Sequence, residues 1–472
     1  MLSRERLQSA ALFALAALPG SLALWGFSVD DAWISVRVAE NLAAGHGYRF
    51  NRGGPVTDAV TPLGWAPLLS LIAGAGVEQT LLRARWLGAL AWLASAAILG
   101  GILSDLGRSS RSLALATLAV CVPLAAWAVA GMETPWVTLF AVLALVRSRF
   151  APAAAGAAAA WRPELVPWAV ALSVGAALAV SGGRGARVRA RRIAEALALA
   201  LAPAALVAGI RWLTFGTPVP LAALAKPSDF AAGLSYAVGA LCLSGPPWLL
   251  VGLGAYRRLP VRARVWAVAF GVHWLAVVLA GGDWMSFFRL FAPVLPSVIA
   301  TGAMLQQHST TAAGLVRALL VLVVSGALWL YKADDARAVT AARAQLIERA
   351  RPLLASSSVV AAVDIGWIGA ANEHATIVDL AGVTDPSIAP LPGGHTSKAV
   401  PSSLLIQRQV DTLVLLLADA EPLQDPWYSS RFYYGVDARL GYAARDLDFE
   451  AIGLVPLPRT QKQYLVLRRQ ER

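Results

Sequence analysis

Apolar runs separated by short arginine-bearing loops fill the first two thirds of the chain, at roughly 7–28, 83–104, 112–130, 133–147, 150–160, 165–181, 192–213, 233–254, 263–280, 288–306 and 311–331. A helix crossing a bilayer needs about 20 apolar residues, so this pattern predicts about eleven spans, of which 133–147 and 150–160 are short. A further run, 63–78, is broken by Gly64, Pro67, Gly74 and Gly76. Cytoplasmic loops are enriched in Lys and Arg. If 63–78 lies in the outer interface as an amphipathic segment, then Arg108, Arg111, Arg147, Arg149 and the clusters at 184–192 and 257–264 all fall on the cytoplasmic side. If it crosses, they scatter. The first arrangement is therefore expected, with the N-terminus in the cytoplasm and everything after residue 331 outside.

Beyond residue 331 the period changes. Strand-length runs, "SVVAAVD", "ATIVDL", "DTLVLLL" and "QYLVLRR", are separated by Gly, Pro and Asp clusters and by a helical stretch near 400–409. The pattern predicts a polytopic α-helical membrane protein, with residues 1–331 as the transmembrane domain and 332–472 as an extracytoplasmic α/β domain. The "DIGWIG" at 364–369 lacks the full glycine fingerprint of a dinucleotide site and reads as a strand-to-helix corner.

Composition agrees. Hydrophobic residues make up 57% of the 472 positions and charged residues 14%, with mean hydropathy +0.60, against about 25% charged in soluble domains. The net charge of +12 comes mostly from the arginine loops and suits anionic headgroups, not nucleic acid. Cys121 and Cys242 lie within apolar runs, so neither a disulfide framework nor a thiolate metal site is indicated. The run 7–27 is long for a signal peptide, and no small-residue cleavage site precedes the acids that follow it; it reads as a retained first span.

Ionisable side chains at membrane depth are costly and mark function unless they pair. In the expected topology Asp30, Asp31, Glu133, Arg162, Glu164, Lys226, Asp283 and Arg289 gather on the outer face. The bland alternative is that Arg162 with Glu164, or Asp283 with Arg289, merely holds helices together. Asn51 is a candidate for hydrogen bonds to substrate hydroxyls or for a turn, and Trp284 for stacking on substrate or for the interfacial aromatic belt.

In order along the chain, "DDAWISVRVAENLAAGHGYRFNRGGPVTDAVTPLGW", "GMETP", "RPE", "GGDWMSFFRLFAPVLP" and "DIGWIG…VDLAGVTDP" resemble bacterial GT-C membrane glycosyltransferases. The resemblance is greatest to the family containing the arabinofuranosyltransferases that use a decaprenyl phosphate donor in actinobacterial cell-wall assembly. It implies a GT-C fold in the bacterial cytoplasmic membrane. It also implies transfer of a sugar from a polyprenyl-phosphate-linked donor to a cell-envelope glycan or lipid acceptor on the outer face, with inversion. Asp30 is then the base, while Asp31 orients the acceptor or binds a divalent ion. The chain departs from the family pattern in "TDAVTPLGW", where Asp58 stands near the usual glutamate, and in "PVPLAALAK", which keeps Lys226.

The chemistry fits these residue types. An acceptor alcohol needs a base, and phosphate leaves without a general acid. One carboxylate suffices where glycoside hydrolysis needs two carboxyl groups. Arg162, Lys226 or Arg289 would hold the phosphate. The candidate ligands for Mg²⁺, Mn²⁺ or Ca²⁺ are Asp31 and Glu133. Two rival readings remain: a lipid-linked glycan ligase or polymerase, and a transporter or flippase, although no internal repeat of the kind transporters show is visible.

Overall fold

The computed structural model describes residues 3–180, 185–252, 257–419 and 431–470. Arg184 and the end of the apolar run 233–254 lie outside the described residues. Among the described residues, five helices are long and apolar enough to cross a membrane: Val77–Leu103, Pro163–Val180, Ala186–Phe215, Val261–Ala280 and Thr311–Leu354. A sixth is added if Arg108–Val120 and Val122–Ala128, bent by 55° at Cys121, count as one broken span. The kink sits two residues before Pro123, whose ring removes a backbone donor from the first turn after the break.

Four of the remaining apolar runs fold as helices shorter than a bilayer is thick. Thr134–Leu143 has 10 residues, Ala151–Trp161 has 11, Phe230–Leu243 has 14 and Leu295–Gln306 has 12. The run 7–28 forms the 20-residue helix Arg4–Ala23. The broken run 63–78 forms only the six-residue helix Trp65–Ser70 before the helix from Val77 begins; at 1.5 Å per residue it is far too short to span. Thr311–Leu354 continues as one helix well past residue 331.

The chain forms two compact units. A helical unit comprises Met1–Phe27, Arg85–Gly209 and Ser228–Arg337; a second unit comprises Ser28–Ala84, Ile210–Pro227 and Ala338–Arg472. The second unit holds a five-stranded sheet made of β1 (Val359–Ala362), β2 (Thr376–Asp379), β3 (Thr412–Leu417), β4 (Phe449–Pro456) and β5 (Gln463–Arg469), in the order β2-β1-β3-β5-β4. β1 runs parallel to both β2 and β3, while β5 is antiparallel to β3 and β4. Every residue of β3 is buried, as expected of a central strand whose two faces are both covered. Leu413, Leu415, Leu465 and Leu467 join Leu440 of the helix Gly435–Asp446 and Phe449 in one apolar core.

Candidate functional site

In the sheet unit, Asp30 and Asp31 open the helix Asp30–Ala43, where acids favour the positive end of the helix dipole. The Asp30 carboxylate reaches the start of a second helix, Ile365–Ala371, which follows β1. Its Oδ2 accepts the Gly366 N–H at 2.8 Å and its Oδ1 the Trp367 N–H at 3.0 Å. Asp30 thus caps a helix 336 residues away, in place of that helix's own N-cap residue, Asp364, which makes no side-chain cap bond. Gly366 makes the approach feasible: a Cβ there would lie 2.3 Å from the Asp30 carbonyl oxygen and 2.8 Å from its Cγ.

Asp364 turns instead to two phenols. Tyr464 donates its hydroxyl to Asp364 Oδ2 at 2.7 Å, and Tyr434 donates to Oδ1 at 3.3 Å. Burial pushes the Asp30 carboxyl up to about 7; the Arg343 charge and the two amide donors pull it down, and the Asp364 charge adds to the rise. A carboxyl group near neutrality is suited to accept a proton at physiological pH. Two N–H bonds leave each oxygen a further lone pair.

The same helix is pinned to the sheet unit by a buried arginine. The Arg37 guanidinium donates to the carbonyls of Phe50, Gly369 and Ala375 at 2.9, 2.7 and 2.8 Å. Asn51 spends its amide on Ile377 of β2, donating to the carbonyl and accepting the N–H, both at 2.9 Å. Asp58 forms a buried ion pair with Arg211 at 2.8 Å. Lys226 follows the short helix Leu221–Ala225, and its half-buried ammonium has no hydrogen-bond or ion-pair partner among the described residues.

In the helical unit the charged candidates occur as pairs. Arg162 lies 3.3 Å from Glu133 and 2.9 Å from Glu164, with Arg162 and Glu133 both buried. Neither carboxylate oxygen of Glu133 has a hydrogen-bond donor, and Arg162 Nη2 has no acceptor, among the described residues. Arg289 binds Asp283 Oδ2 through Nε and Nη2, each at 2.9 Å. Their loop is held in an unusual backbone: Gly281 and Gly282 have φ of 89° and 70°, and Phe287 and Phe288 have 59° and 50°. Left-handed non-glycine residues cost about 1–3 kcal/mol each and cluster at functional sites. The Phe287 carbonyl is fixed by the Trp127 indole N–H at 3.0 Å, and the Arg289 guanidinium lies 5.8 Å from the Trp127 ring centroid. Trp284 is 60% exposed.

The ion pairs considered from sequence as helix ties, Arg162–Glu164 and Asp283–Arg289, are both formed. Sequence reasoning missed Asp364, Arg343, Tyr434 and Tyr464. The one pointer to them was "DIGWIG" among the resembling motifs, read there only as a corner. No group of three or more His, Cys, Asp or Glu side chains is gathered as a metal site among the described residues.

Among the described residues the sheet unit holds four buried or half-buried carboxyls displaced upward, Asp58 among them, raised by burial against the pull of its Arg211 partner. Besides Asp30, Asp379 is raised to about 6 by burial against the bonds from Thr384 and Ala381, and Asp437 is raised well above the usual range by burial. A carboxyl whose pKa rises on folding adds stability below its unfolded pKa, and that stability is lost as pH climbs through the folded value. The melting temperature should therefore fall between pH 5 and pH 8. Asp437→Asn, which keeps the shape and the acceptor for the Leu416 N–H, should flatten that fall in a pH series of thermal melts. An unchanged slope would remove Asp437 from the account.

The long apolar helices and the appended sheet define a membrane protein with a small α/β unit. A family model described as "Domain of unknown function (DUF8728)" matches residues 335–465, much of the sheet unit's C-terminal part. The chain is similar in structure to the arabinofuranosyltransferase AftD from Mycobacteria, with 17% identity and a TM-score of 0.47, over 98% of this chain and 40% of that one. The chain thus spans well under half the length of that protein. No curated protein sequence matches it.

Proposed function

We propose that the protein transfers a sugar from a polyprenyl-phosphate-linked donor to a hydroxyl of a cell-envelope glycan or lipid, at the outer face of the cytoplasmic membrane. In this reading residues 1–331 carry catalysis and the C-terminal α/β domain is extracytoplasmic. The observation that carries the reading is Asp30: a carboxyl raised to about 7, at the first turn of a helix that follows the first apolar segment, oriented by two backbone amides. It takes the proton of the acceptor hydroxyl as the anomeric carbon–oxygen bond to phosphate breaks, and the phosphate departs as an anion. Asp31, about 100° further round the helix, orients the acceptor. The order of the motifs from "DDAW" to "GGDWM" supports the donor class.

Lys226 is the best-suited phosphate ligand, because Arg162 and Arg289 are each engaged with carboxylates. A charge-assisted hydrogen bond is worth about 1.5–3 kcal/mol. Lys226→Ala should therefore lower kcat/KM for the donor by about tenfold to a hundredfold with little change in melting temperature; an unchanged kcat/KM would exclude it from the phosphate site. The reading itself is tested by mass-spectrometric detection of transfer by the purified protein from a panel of polyprenyl phosphate sugars, arabinose first. Absence of transfer from every donor, with the protein folded in a lipid bilayer, would overturn it.

A further inference from the structure

We propose that Asp364, Tyr464 and Gly366 of the C-terminal segment are positioning residues for the acid at the start of the first polar loop, so that the sheet unit is a working part of the reaction centre. The inference rests on the reading that Asp30 takes the acceptor's proton, and it adds the residues that set where that carboxyl points and at what pH it works.

Three observations carry it. The Gly366 and Trp367 amides hold the two carboxylate oxygens separately, which fixes both the position and the plane of the group. The space is made by the missing side chain at Gly366, where a Cβ would fall 2.3 Å from the backbone of Asp30. Asp364, two residues earlier, is itself immobilised by the Tyr464 and Tyr434 hydroxyls. The charged and titratable groups that face Asp30 are thus Asp364, Arg343 and Tyr434, with Tyr464 facing Asp364 and Arg343. Arg343 comes from the helix Thr311–Leu354, Asp364 from the turn after β1, Tyr434 from the residue before the helix Gly435–Asp446, and Tyr464 from β5.

The arrangement makes a directional claim. The Asp364 charge raises the Asp30 pKa and the Arg343 charge lowers it. A base works only when deprotonated, so the acid limb of the kcat/KM profile follows that pKa. Asp364→Asn should move the limb to lower pH, and Arg343→Gln should move it to higher pH. A purely structural role for the two residues would lower the plateau of both variants and shift neither limb.

Gly366→Ala isolates the geometry. Alanine is the better helix former by about 1 kcal/mol, so the substitution does not weaken the helix by propensity; its harm comes from pushing Asp30 aside. It should lower kcat by more than tenfold with donor KM changed less than threefold.

A turnover-free measurement separates this inference from the reading beneath it. The difference in melting temperature between proteins with Asp30 and with Asp30→Asn is followed against pH, with and without Asp364→Asn. A midpoint that moves to lower pH with Asp364→Asn supports the positioning contact even if no donor is used, and in that case only the glycosyl-transfer reading falls. A midpoint that stays in place, together with a wild-type kcat in Gly366→Ala, overturns the inference even where sugar transfer is observed.

Discussion

Asp30→Asn should lower the rate of sugar transfer by about a hundredfold to ten-thousandfold, the usual cost of losing a general base, while the protein stays folded and still holds its donor. Asparagine keeps the size of the side chain and one acceptor oxygen, so one of the two amide bonds to Gly366 and Trp367 survives. The other is lost, at a cost comparable to removing a helix cap, about 1 kcal/mol. That loss is too small to account for a large drop in rate. Initial rates of product formation, measured beside thermal melts of the same preparations, separate the two effects. Asp31→Asn should have the smaller effect on rate. A folded Asp30→Asn protein that transfers sugar at the wild-type rate would end the assignment of this residue as the base.

The second large effect concerns stability. Arg162→Met should destabilise the helical unit by about 3–5 kcal/mol, because it strands buried charge whose partner is gone. Glu133 is wholly buried and has no hydrogen-bond donor of its own among the described residues, so Arg162 supplies all of its compensation. Arg162→Met combined with Glu133→Leu removes the wholly buried carboxylate together with its cation, leaving only the partly exposed Glu164 unpaired, and should recover part of the loss, since apolar replacement of a buried ion pair is often neutral. Thermal melts of the two proteins in one detergent read the comparison directly. If the double variant is no more stable than Arg162→Met alone, the pair is not what holds this region together.

The two parts of the chain were legible to different degrees, for different physical reasons. Four strands were visible because "SVVAAVD", "ATIVDL", "DTLVLLL" and "QYLVLRR" are compact apolar runs between turn residues, and each is a strand in the sheet. β4 was not visible. Its sequence "FEAIGLVP" carries Gly453 at a register shift against β5, and most of its residues are only partly covered, so neither alternation nor continuous burial shows through. In the membrane part, apolar runs located helices, but among the described residues only five or six of them are long and apolar enough to cross a membrane. Hydropathy does not register that helix stops after Leu143, Leu243 and Gln306, well short of a bilayer's thickness.

The candidate site divides in the same way. Asp30 stood out as a charged residue at the end of an apolar run. Its partners did not, because Gly366, Asp364 and Tyr464 are distant in sequence and no local spacing links them. Asn51 illustrates the opposite limit: a polar side chain in a loop invites a sugar, but its amide is committed to the main chain of Ile377.

That commitment bears on how the folded chain avoids its neighbours. β2 is the outermost strand on its side of the sheet, and an unpaired strand edge is a template on which another chain can add a strand. Asn51 presents a donor and an acceptor to Ile377 in the manner of a one-residue strand, occupying hydrogen-bonding positions that an incoming chain would use. The first polar loop therefore acts as a stopper on the sheet, and a chain in which that loop has pulled away exposes an edge open to self-association.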